Sequence, residues 1–370
     1  MTKRSRNKDE RDQAWMGLAL EQADAGRGRT SPNPAVGCVL VRGACEVGRG
    51  HHARFGGPHA EAVALGAAAK RARGATAYVT LEPCCISAKT PPCTRALIEA
   101  GVDRVVVGCR DPNPEVAGRG LAELRRAGIE VTFGVLGDEC KGVIAGFESW
   151  VTRRRPRVHL KLATTLDGRI ATRTGASQWI SGAGSRRLVQ DMRRCADAVL
   201  VGVGTVQADD PRLSCRLPGA RQPLRVILDS ALRTPAGARA ISGPGDCLLV
   251  GASTAPATKA RRLEAAGAEV LLFGKGGAKG KRGWGRVLTE LGRRGVLELL
   301  IEGGAEVAAS ALRAGVVNDM TIFYNPRFIG GDGVPMLAAL GVRDPREGLR
   351  PTNVSWAESD GDLVWRGSFK

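Results

Sequence analysis

Aromatic side chains are scarce: Phe, Trp and Tyr make up 4% of the 370 residues. Nucleic-acid bases are commonly held by stacking on such rings, so a base-stacking surface is not expected. Acidic charge is short too, with 37 Asp and Glu against 55 Lys and Arg, a formal net charge of +18. A basic chain can serve nucleic acid, anionic membrane or phosphorylated small molecules. With so few rings, phosphorylated ligands plus solvated arginines are the expected use, with no nucleic-acid and no membrane partner. Genome composition alone can also produce an arginine excess beside abundant Ala and Gly. No apolar run reaches about 18 residues, so no membrane span is expected. The polar, basic start Met1-Thr2-Lys3-Arg4-Ser5-Arg6-Asn7-Lys8 lacks the apolar core of a signal peptide. The ten cysteines are scattered without a dense framework, which suits a reducing cytoplasm.

What the chain does have is length for about two domains and 43% hydrophobic residues. The first domain is expected over 1–152, a linker over 153–156 at Arg153-Arg154-Arg155-Pro156, and the second domain over 157–370. A helix is expected over 10–26. In Pro32-Asn33-Pro34 two prolines around an Asn make a rigid turn with an amide to offer. A buried strand follows at 36–41, and its partner ends near Gly50. A helix opens at His59 and runs to about Arg73. Strands at 77–80, 105–107 and 129–133 then alternate with helices at 93–100, 121–127 and 138–151. In the second domain strands are expected at 158–163, 198–202, 224–228, 247–250, 269–273, 297–301 and 320–324. The Gly- and Lys-rich stretch 273–283 reads as a mobile surface loop. Alternation of this kind argues an α/β fold, with each sheet covered by helices and ligands at strand carboxyl ends.

The chemistry gathers at Pro58-His59-Ala60-Glu61, answered by Pro83-Cys84-Cys85 and Cys93. Zinc takes imidazole and thiolate ligands in a tetrahedron, and a catalytic zinc keeps one position for water. His59, Cys84 and Cys93 would supply three ligands, with Cys85 an alternative by chemistry alone, and Glu61 would be free to move protons. Zinc deaminases carry H-x-E followed by P-C-x-x-C, with the Glu as acid and base. Here eight residues rather than two separate Cys84 from Cys93. A lone His-x-Glu is usually a surface pair, and a buried Cys is usually a small hydrophobe. The order of elements carries the signal: His-x-Glu opens an apolar helix, a strand follows, and Pro-Cys sits at its carboxyl end. In the second half, Glu302-Gly303-Gly304 follows an apolar strand and opens a helix, where backbone amides could hold a phosphate. Two glycines alone are more often a turn.

These segments resemble the bifunctional riboflavin-biosynthesis deaminase/reductase of bacteria over nearly the whole chain. The resemblance rests first on Pro32-Asn33-Pro34 with Val36-Gly37-Cys38, Pro58-His59-Ala60-Glu61, Thr80-Leu81-Glu82-Pro83-Cys84, Thr90-Pro91-Pro92-Cys93, and Asp111-Pro112-Asn113-Pro114 with Gly118-Arg119-Gly120. It continues in Leu160-Lys161-Leu162-Ala163, Leu166-Asp167-Gly168, Ser177-Gln178-Trp179-Ile180, Val203-Gly204-Thr205 with Asp209-Asp210-Pro211, and Glu302-Gly303-Gly304. It implies a cytidine-deaminase-like first domain, a mixed sheet covered by helices, and a second domain like dihydrofolate reductase. One zinc per chain would sit on His59, Cys84 and Cys93, with the motif favouring Cys84 over Cys85.

The implied first reaction is hydrolytic deamination of a phosphoribosylated diaminopyrimidinone, with hydroxide formed at the zinc and Glu61 moving the protons. Asn33 and Lys89 are candidates for base and phosphate contacts. The implied second reaction is reduction of the resulting uracil's ribosyl chain to ribityl by NADPH. Its cofactor contacts would fall on Ala163, Trp179, Thr205, Asp209 and the segment Gly304, Ala305, Glu306. Substrate contacts would fall on Ser177, Arg193, Leu213, Arg216 and Glu302, and Lys161 would act catalytically in the same cleft. Ser230, with a hydroxyl close behind an apolar strand, is a candidate for the NADPH 2′-phosphate, and Asp229 beside it would oppose that role if it faced the pocket. A homo-oligomer is expected.

One departure stands out. The family reads Cys-(Ser/Asn)-His-x-Gly-(Arg/Lys)-Thr-Pro-Pro-Cys, and this chain has Ile86 for the His and Ala88 for the Gly. That His would help hold the pyrimidine. A reductase with an impaired deaminase domain is therefore an alternative function. A deaminase of nucleic-acid bases is another, against which stand the scarce rings and the entire second domain.

Overall fold

The computed structural model describes residues 3–87 and 91–369. The chain divides into two compact units, Met1–Arg154 and Arg155–Lys370. Unit 1 runs α1 (Lys3–Gly26), β1 (Gly37–Arg42), β2 (Cys45–His51), α2 (Ala60–Ala68), β3 (Thr76–Leu81), α3 (Cys93–Glu99), β4 (Arg104–Cys109), α4 (Arg119–Arg126), β5 (Glu130–Phe133) and α5 (Gly137–Arg153). Its sheet has the order β2-β1-β3-β4-β5. The first two pairings are antiparallel and the last two parallel. β4 is buried at every position and β3 from Ala77 onward, as expected for strands covered on both faces.

Small residues bring α2 close to this sheet. Ala60, Ala64 and Ala68, four residues apart on one face, are each 0% exposed. Gly48 of β2 runs beneath them, and a Cβ there would stand 2.4 Å from the Ala64 carbonyl oxygen. His59, the residue that caps α2, is thereby held at a fixed height. On the far side α1 is tied to the sheet by a buried ion pair, Asp12 to Arg104 at 2.6 Å, with the Tyr78 hydroxyl donating to Asp12 at 2.8 Å.

Unit 2 runs β6 (Arg157–Thr165), β7 (Arg169–Ala171), α6 (Ala183–Cys195), β8 (Ala198–Gly202), α7 (Val203–Asp209), β9 (Leu224–Leu228), α8 (Arg239–Ser242), β10 (Cys247–Ala252), α9 (Ala257–Ala265), β11 (Glu269–Phe273), α10 (Gly280–Arg293), β12 (Glu298–Ile301), α11 (Ala305–Arg313), β13 (Asp319–Asn325), β14 (Val334–Pro335), β15 (Thr352–Ser359) and β16 (Asp362–Ser368). Nine strands form one sheet in the order β11-β10-β9-β8-β12-β6-β13-β16-β15. It is parallel from β11 to β13, and the last two strands are antiparallel additions. Alternate residues feed two cores. Leu160, Leu162, Leu200 and Ile301 meet Trp284 and Leu288 of α10 on one face, while Val199, Val201, Ile227 and Leu300 share the other cluster.

One expectation needs correction. The stretch 273–283 is not loop throughout: α10 begins at Gly280, and Ala278 is buried in the core. Trp284, Val287, Leu288 and Leu291 recur at helical spacing and draw the Gly- and Lys-rich start into the helix. Lys161 lies within the sheet, since β6 runs between β12 and β13. Among the described residues no helix is long and apolar enough to cross a membrane.

Candidate active sites

Three elements converge in unit 1. His59 caps α2, Cys84 follows β3, and Cys93 opens α3. His59 Nδ1 lies 3.2 Å from Cys93 Sγ and 3.5 Å from Cys84 Sγ, and all three donor atoms fall within 4.8 Å of one another. A tetrahedral zinc with ordinary Zn–N and Zn–S bonds would space such donors about 3.5 Å apart, so the donor set fits zinc. The backbone helps hold it: the Cys93 amide donates to Cys84 Sγ at 3.4 Å, and the Thr94 amide to the Cys84 carbonyl at 3.2 Å. The bond from Cys93, and then His59, brings the Cys84 thiol down to about 4. Cys93, bonded to Cys84 and buried, is pushed far up. Cys85 lies outside the donor cluster.

Glu61 lies one helical step inside α2 and is 3% exposed. Burial, and then the nearby Cys84, raise its carboxyl to about 7. Asn33 reaches the same neighbourhood through a residue that sequence reasoning missed. Its Nδ2 is 3.1 Å from His52 Nε2, and the His52 ring stands edge-on to His59 at 5.4 Å between centroids. No spacing rule singles out His52 from His51 beside it, but burial does: His52 is 2% exposed. Lys89 lies outside the described residues.

Unit 2 has a cavity of about 520 Å³ at the carboxyl ends of β6, β8 and β12. Of the expected residues, Lys161, Ala163, Ser177, Trp179, Arg193, Thr205, Asp209, Leu213, Arg216, Glu302 and Gly304 all line it. Its floor is an ion pair in fork geometry, Arg193 Nε and Nη2 to Glu302 at 2.6 and 2.9 Å. Burial alone would raise the Glu302 carboxyl, but Arg193 holds it below the ordinary carboxylate range. Lys161 is pushed down by burial, a trend that Glu302 opposes and Arg193 reinforces. The Ser177 hydroxyl donates to Asp209 at 2.7 Å, and the Gly304 amide to Thr205 Oγ1 at 3.2 Å. Trp179 is 59% exposed, an open ring on which a flat group could lie, with the Arg186 guanidinium 4.9 Å away.

Three expected residues do not line the cavity: Ser230, Ala305 and Glu306. Ala305 and Glu306 form the first turn of α11, where the Glu306 carboxylate favours the helix dipole and would repel a phosphate. A Cβ on Gly277 would stand 2.9 Å from Ser230 Oγ, so this hydroxyl abuts the loop before α10. Conversely Arg186, Gln190, Arg212 and Arg239 line the cavity and were not anticipated. Arg186 and Gln190 share the α6 face that carries Arg193, which is the pattern that could have found them.

The fold and these sites define a class, a zinc-binding deaminase unit joined to a reductase unit that uses a nicotinamide cofactor. Residues 9–109 match the family described as the cytidine and deoxycytidylate deaminase zinc-binding region, and residues 156–364 match the RibD C-terminal domain. The riboflavin biosynthesis protein RibD of Aquifex aeolicus is 41% identical over 95% of this chain and 97% of its own length. That of Escherichia coli is 39% identical over 87% of this chain and 89% of its own. Among solved structures, Acinetobacter baumannii RibD superposes with a TM-score of 0.85 at 36% identity, over 97% of this chain and 99% of that one. A Thermotoga maritima diaminohydroxyphosphoribosylaminopyrimidine deaminase/5-amino-6-(5-phosphoribosylamino)uracil reductase gives 0.84 at 36% identity, over 98% and 100%. The chain belongs to the RibD family, the bifunctional deaminase/reductase of riboflavin biosynthesis.

Proposed function

We propose that unit 1 deaminates 2,5-diamino-6-(5-phosphoribosylamino)pyrimidin-4(3H)-one, and that unit 2 reduces the resulting 5-amino-6-(5-phosphoribosylamino)uracil with NADPH. The observation that carries the first half is the trio of donors at zinc spacing with Glu61 buried beside it. His59, Cys84 and Cys93 would hold one zinc per chain. That ion would supply Lewis acidity, so that the hydrolytic water ionises near neutral pH. Glu61 takes the water's proton and hands it to the ring nitrogen, then takes the second proton from the hydroxyl newly added to the ring carbon and gives it to the departing amine, which leaves as ammonia. Asn33 offers its amide to the pyrimidine, and Lys89 its ammonium to the phosphate.

In unit 2, NADPH would supply hydride to the ribose C1′. Lys161 donates the proton that the opening ribose ring oxygen takes up, leaving the ribityl chain. Glu302 orients Arg193, and Arg193 and Arg216 receive the phosphate, a group that guanidinium grips through two oxygens. Ser177, Leu213 and Glu302 border the substrate, while Ala163, Trp179, Thr205, Asp209 and Gly304 border the cofactor. The ten free thiols suit a cytoplasmic enzyme. A homo-oligomer is supported by β15, an edge strand exposed along nearly its whole length, with Trp356 58% exposed. Light scattering on the purified protein tests that part.

The central experiment gives the purified enzyme the diaminopyrimidinone phosphate, with and without NADPH, and follows products by mass spectrometry. The uracil is expected without NADPH and the ribityl uracil with it. Glu61→Gln should keep zinc, lose ammonia release by about 10²–10⁴-fold, and still reduce supplied uracil. Ile86 in place of the family His supports a second reading, an impaired deaminase. Its signature is bound zinc with reduction intact and little ammonia from the unaltered chain.

A further inference from the structure

One face of α6 forms a wall of the unit 2 cavity: Arg186, Val189, Gln190 and Arg193 recur at helical spacing and all line it. The last turn of α6 is anchored inside the site through Arg193 and Glu302. The first turn is anchored from outside. Its capping residue, Gly182, has no side chain to offer, and the Gly182 amide donates to Asp362 Oδ2 at 2.7 Å, across 180 residues of sequence. The Gly184 amide donates to Asp360 Oδ2 at 3.0 Å. Asp362 opens β16 and Asp360 lies in the turn that joins it to β15. Asp362 is 1% exposed, and Asn325 at the end of β13 donates to its Oδ1 at 2.7 Å. The approach is close: a Cβ on Gly184 would stand 2.6 Å from Asp360 Cβ.

Two carboxylates from the hairpin thus do for α6 what a capping side chain does within a helix. They accept amides that have no intrahelical partner and set negative charge at the positive end of the helix. The chain entering this turn is the segment 177–181, which carries Ser177 and Trp179 into the cavity.

We propose that Asp362, with Asp360, is a positioning residue for the reductase: by fixing the first turn of α6 it sets where Trp179 and Arg193 stand against cofactor and substrate. The proposal rests on the cavity being the reductase site. Donor and acceptor chemistry supplies a specific test. Asp362→Ala leaves both the Gly182 amide and the Asn325 side chain without their acceptor. Asp362→Asn keeps both bonds, because its oxygen still accepts from Gly182 and the Asn325 amide can turn so that its Oδ1, which has no partner, accepts from the new amide nitrogen.

The test is steady-state reduction of supplied 5-amino-6-(5-phosphoribosylamino)uracil by NADPH, on the full chain. Asp362→Ala should raise KM for both reactants by about tenfold and leave ammonia release in the deaminase assay unchanged. Asp362→Asn should recover most of the loss. Asp360→Gly removes the second carboxylate and relaxes a backbone held at φ 54°. It should therefore fold, and should raise both KM values by a smaller factor. If Asp362→Ala and Asp360→Gly lower the melting temperature but leave the reductase KM values unmoved, or if Asp362→Asn is as damaged as Asp362→Ala, the proposal is overturned. Should Asp362→Ala fail to fold, Asp360→Gly decides. Arg193→Ala separates the layers: if it leaves reduction intact, the cavity is not the site, whereas its loss of activity beside unchanged Asp variants sinks this proposal alone.

Discussion

Asn33 Nδ2 lies 3.1 Å from His52 Nε2, and the ring accepts that bond. The assignment follows from the other ring nitrogen, which stands 2.9 Å from the Pro58 carbonyl oxygen. A carbonyl only accepts, so Nδ1 carries the proton and Nε2 a lone pair. The Asn33 amide is thereby oriented, with its oxygen and its second N–H left for a ligand. His52→Ala should free that amide and raise KM for the pyrimidine phosphate in deamination about 5–10-fold, the worth of one hydrogen bond. Zinc content and reduction should hold. Zinc loss in this variant would instead make His52 a support of the metal ligands.

The two adjacent cysteines make a sharper contrast. Cys84 Sγ sits 3.5 Å from His59 Nδ1, and Cys85 stands outside the donor cluster. Metal analysis should find about one zinc per chain in the parent and in Cys85→Ser. Cys84→Ser and Cys93→Ser should lose most of it, since a serine hydroxyl replaces a thiolate ligand of zinc poorly. An empty site in Cys85→Ser would reverse the ligand assignment.

The donor trio was legible because imidazole and thiol side chains carry their own chemistry and because each falls at an element boundary. The apolar strands were legible for a similar reason: β8, β9 and β11 occupy the residues that their Val, Ile and Leu content implies. His52 carries no such mark, because a histidine's role depends on what its ring faces. The β15–β16 hairpin was invisible for a physical reason. β15 is exposed from Thr352 to Glu358, and only Val354 and Trp356 alternate with polar neighbours there, too short an apolar pattern to read as a strand. With the hairpin hidden, the Asp362 bond to Gly182 could not be inferred either, since 180 residues separate its ends.

Acid should weaken unit 1 through Asp12. Burial pushes this carboxyl up, but the bonds from Arg104 and Tyr78 outweigh burial and leave it below its ordinary value of 3.8. A carboxylate depressed on folding contributes stability above its unfolded pKa and loses it as pH falls through the folded one. The loss should therefore begin near about pH 4 and deepen below it. Asp12→Asn leaves the Arg104 guanidinium with only the more exposed Glu130 and the Thr132 hydroxyl as partners, which costs about 3 kcal/mol at neutral pH. Urea melts of both proteins should show a wide gap at pH 7 that narrows below about pH 4. A gap that stays constant with pH would deny Asp12 this role.

The cofactor preference follows from charge. NADPH differs from NADH by a 2′-phosphate, and discrimination needs cationic or hydroxyl partners for it. The cavity walls carry Arg186, Arg212, Arg216 and Arg239. Asp229, the carboxylate that would oppose a phosphate near Ser230, is turned inward: it is 1% exposed and accepts from the Thr234 amide and hydroxyl at 2.7 and 2.8 Å. Ser230 itself lies off the cavity wall, against Gly277, so it can meet the 2′-phosphate only if the adenosine end of the cofactor extends toward that loop. A charge-assisted contact contributes about 1.5–3 kcal/mol, hence roughly 10–100-fold selectivity. The measurement is kcat/KM for NADPH and NADH on the same uracil substrate, in the parent and in Ser230→Ala. NADPH should win by at least about tenfold in the parent, and the substitution should narrow the ratio. A parent preference that Ser230→Ala leaves untouched would transfer the phosphate to the cavity arginines, and equal values for the two cofactors in the parent would remove the phosphate pocket altogether.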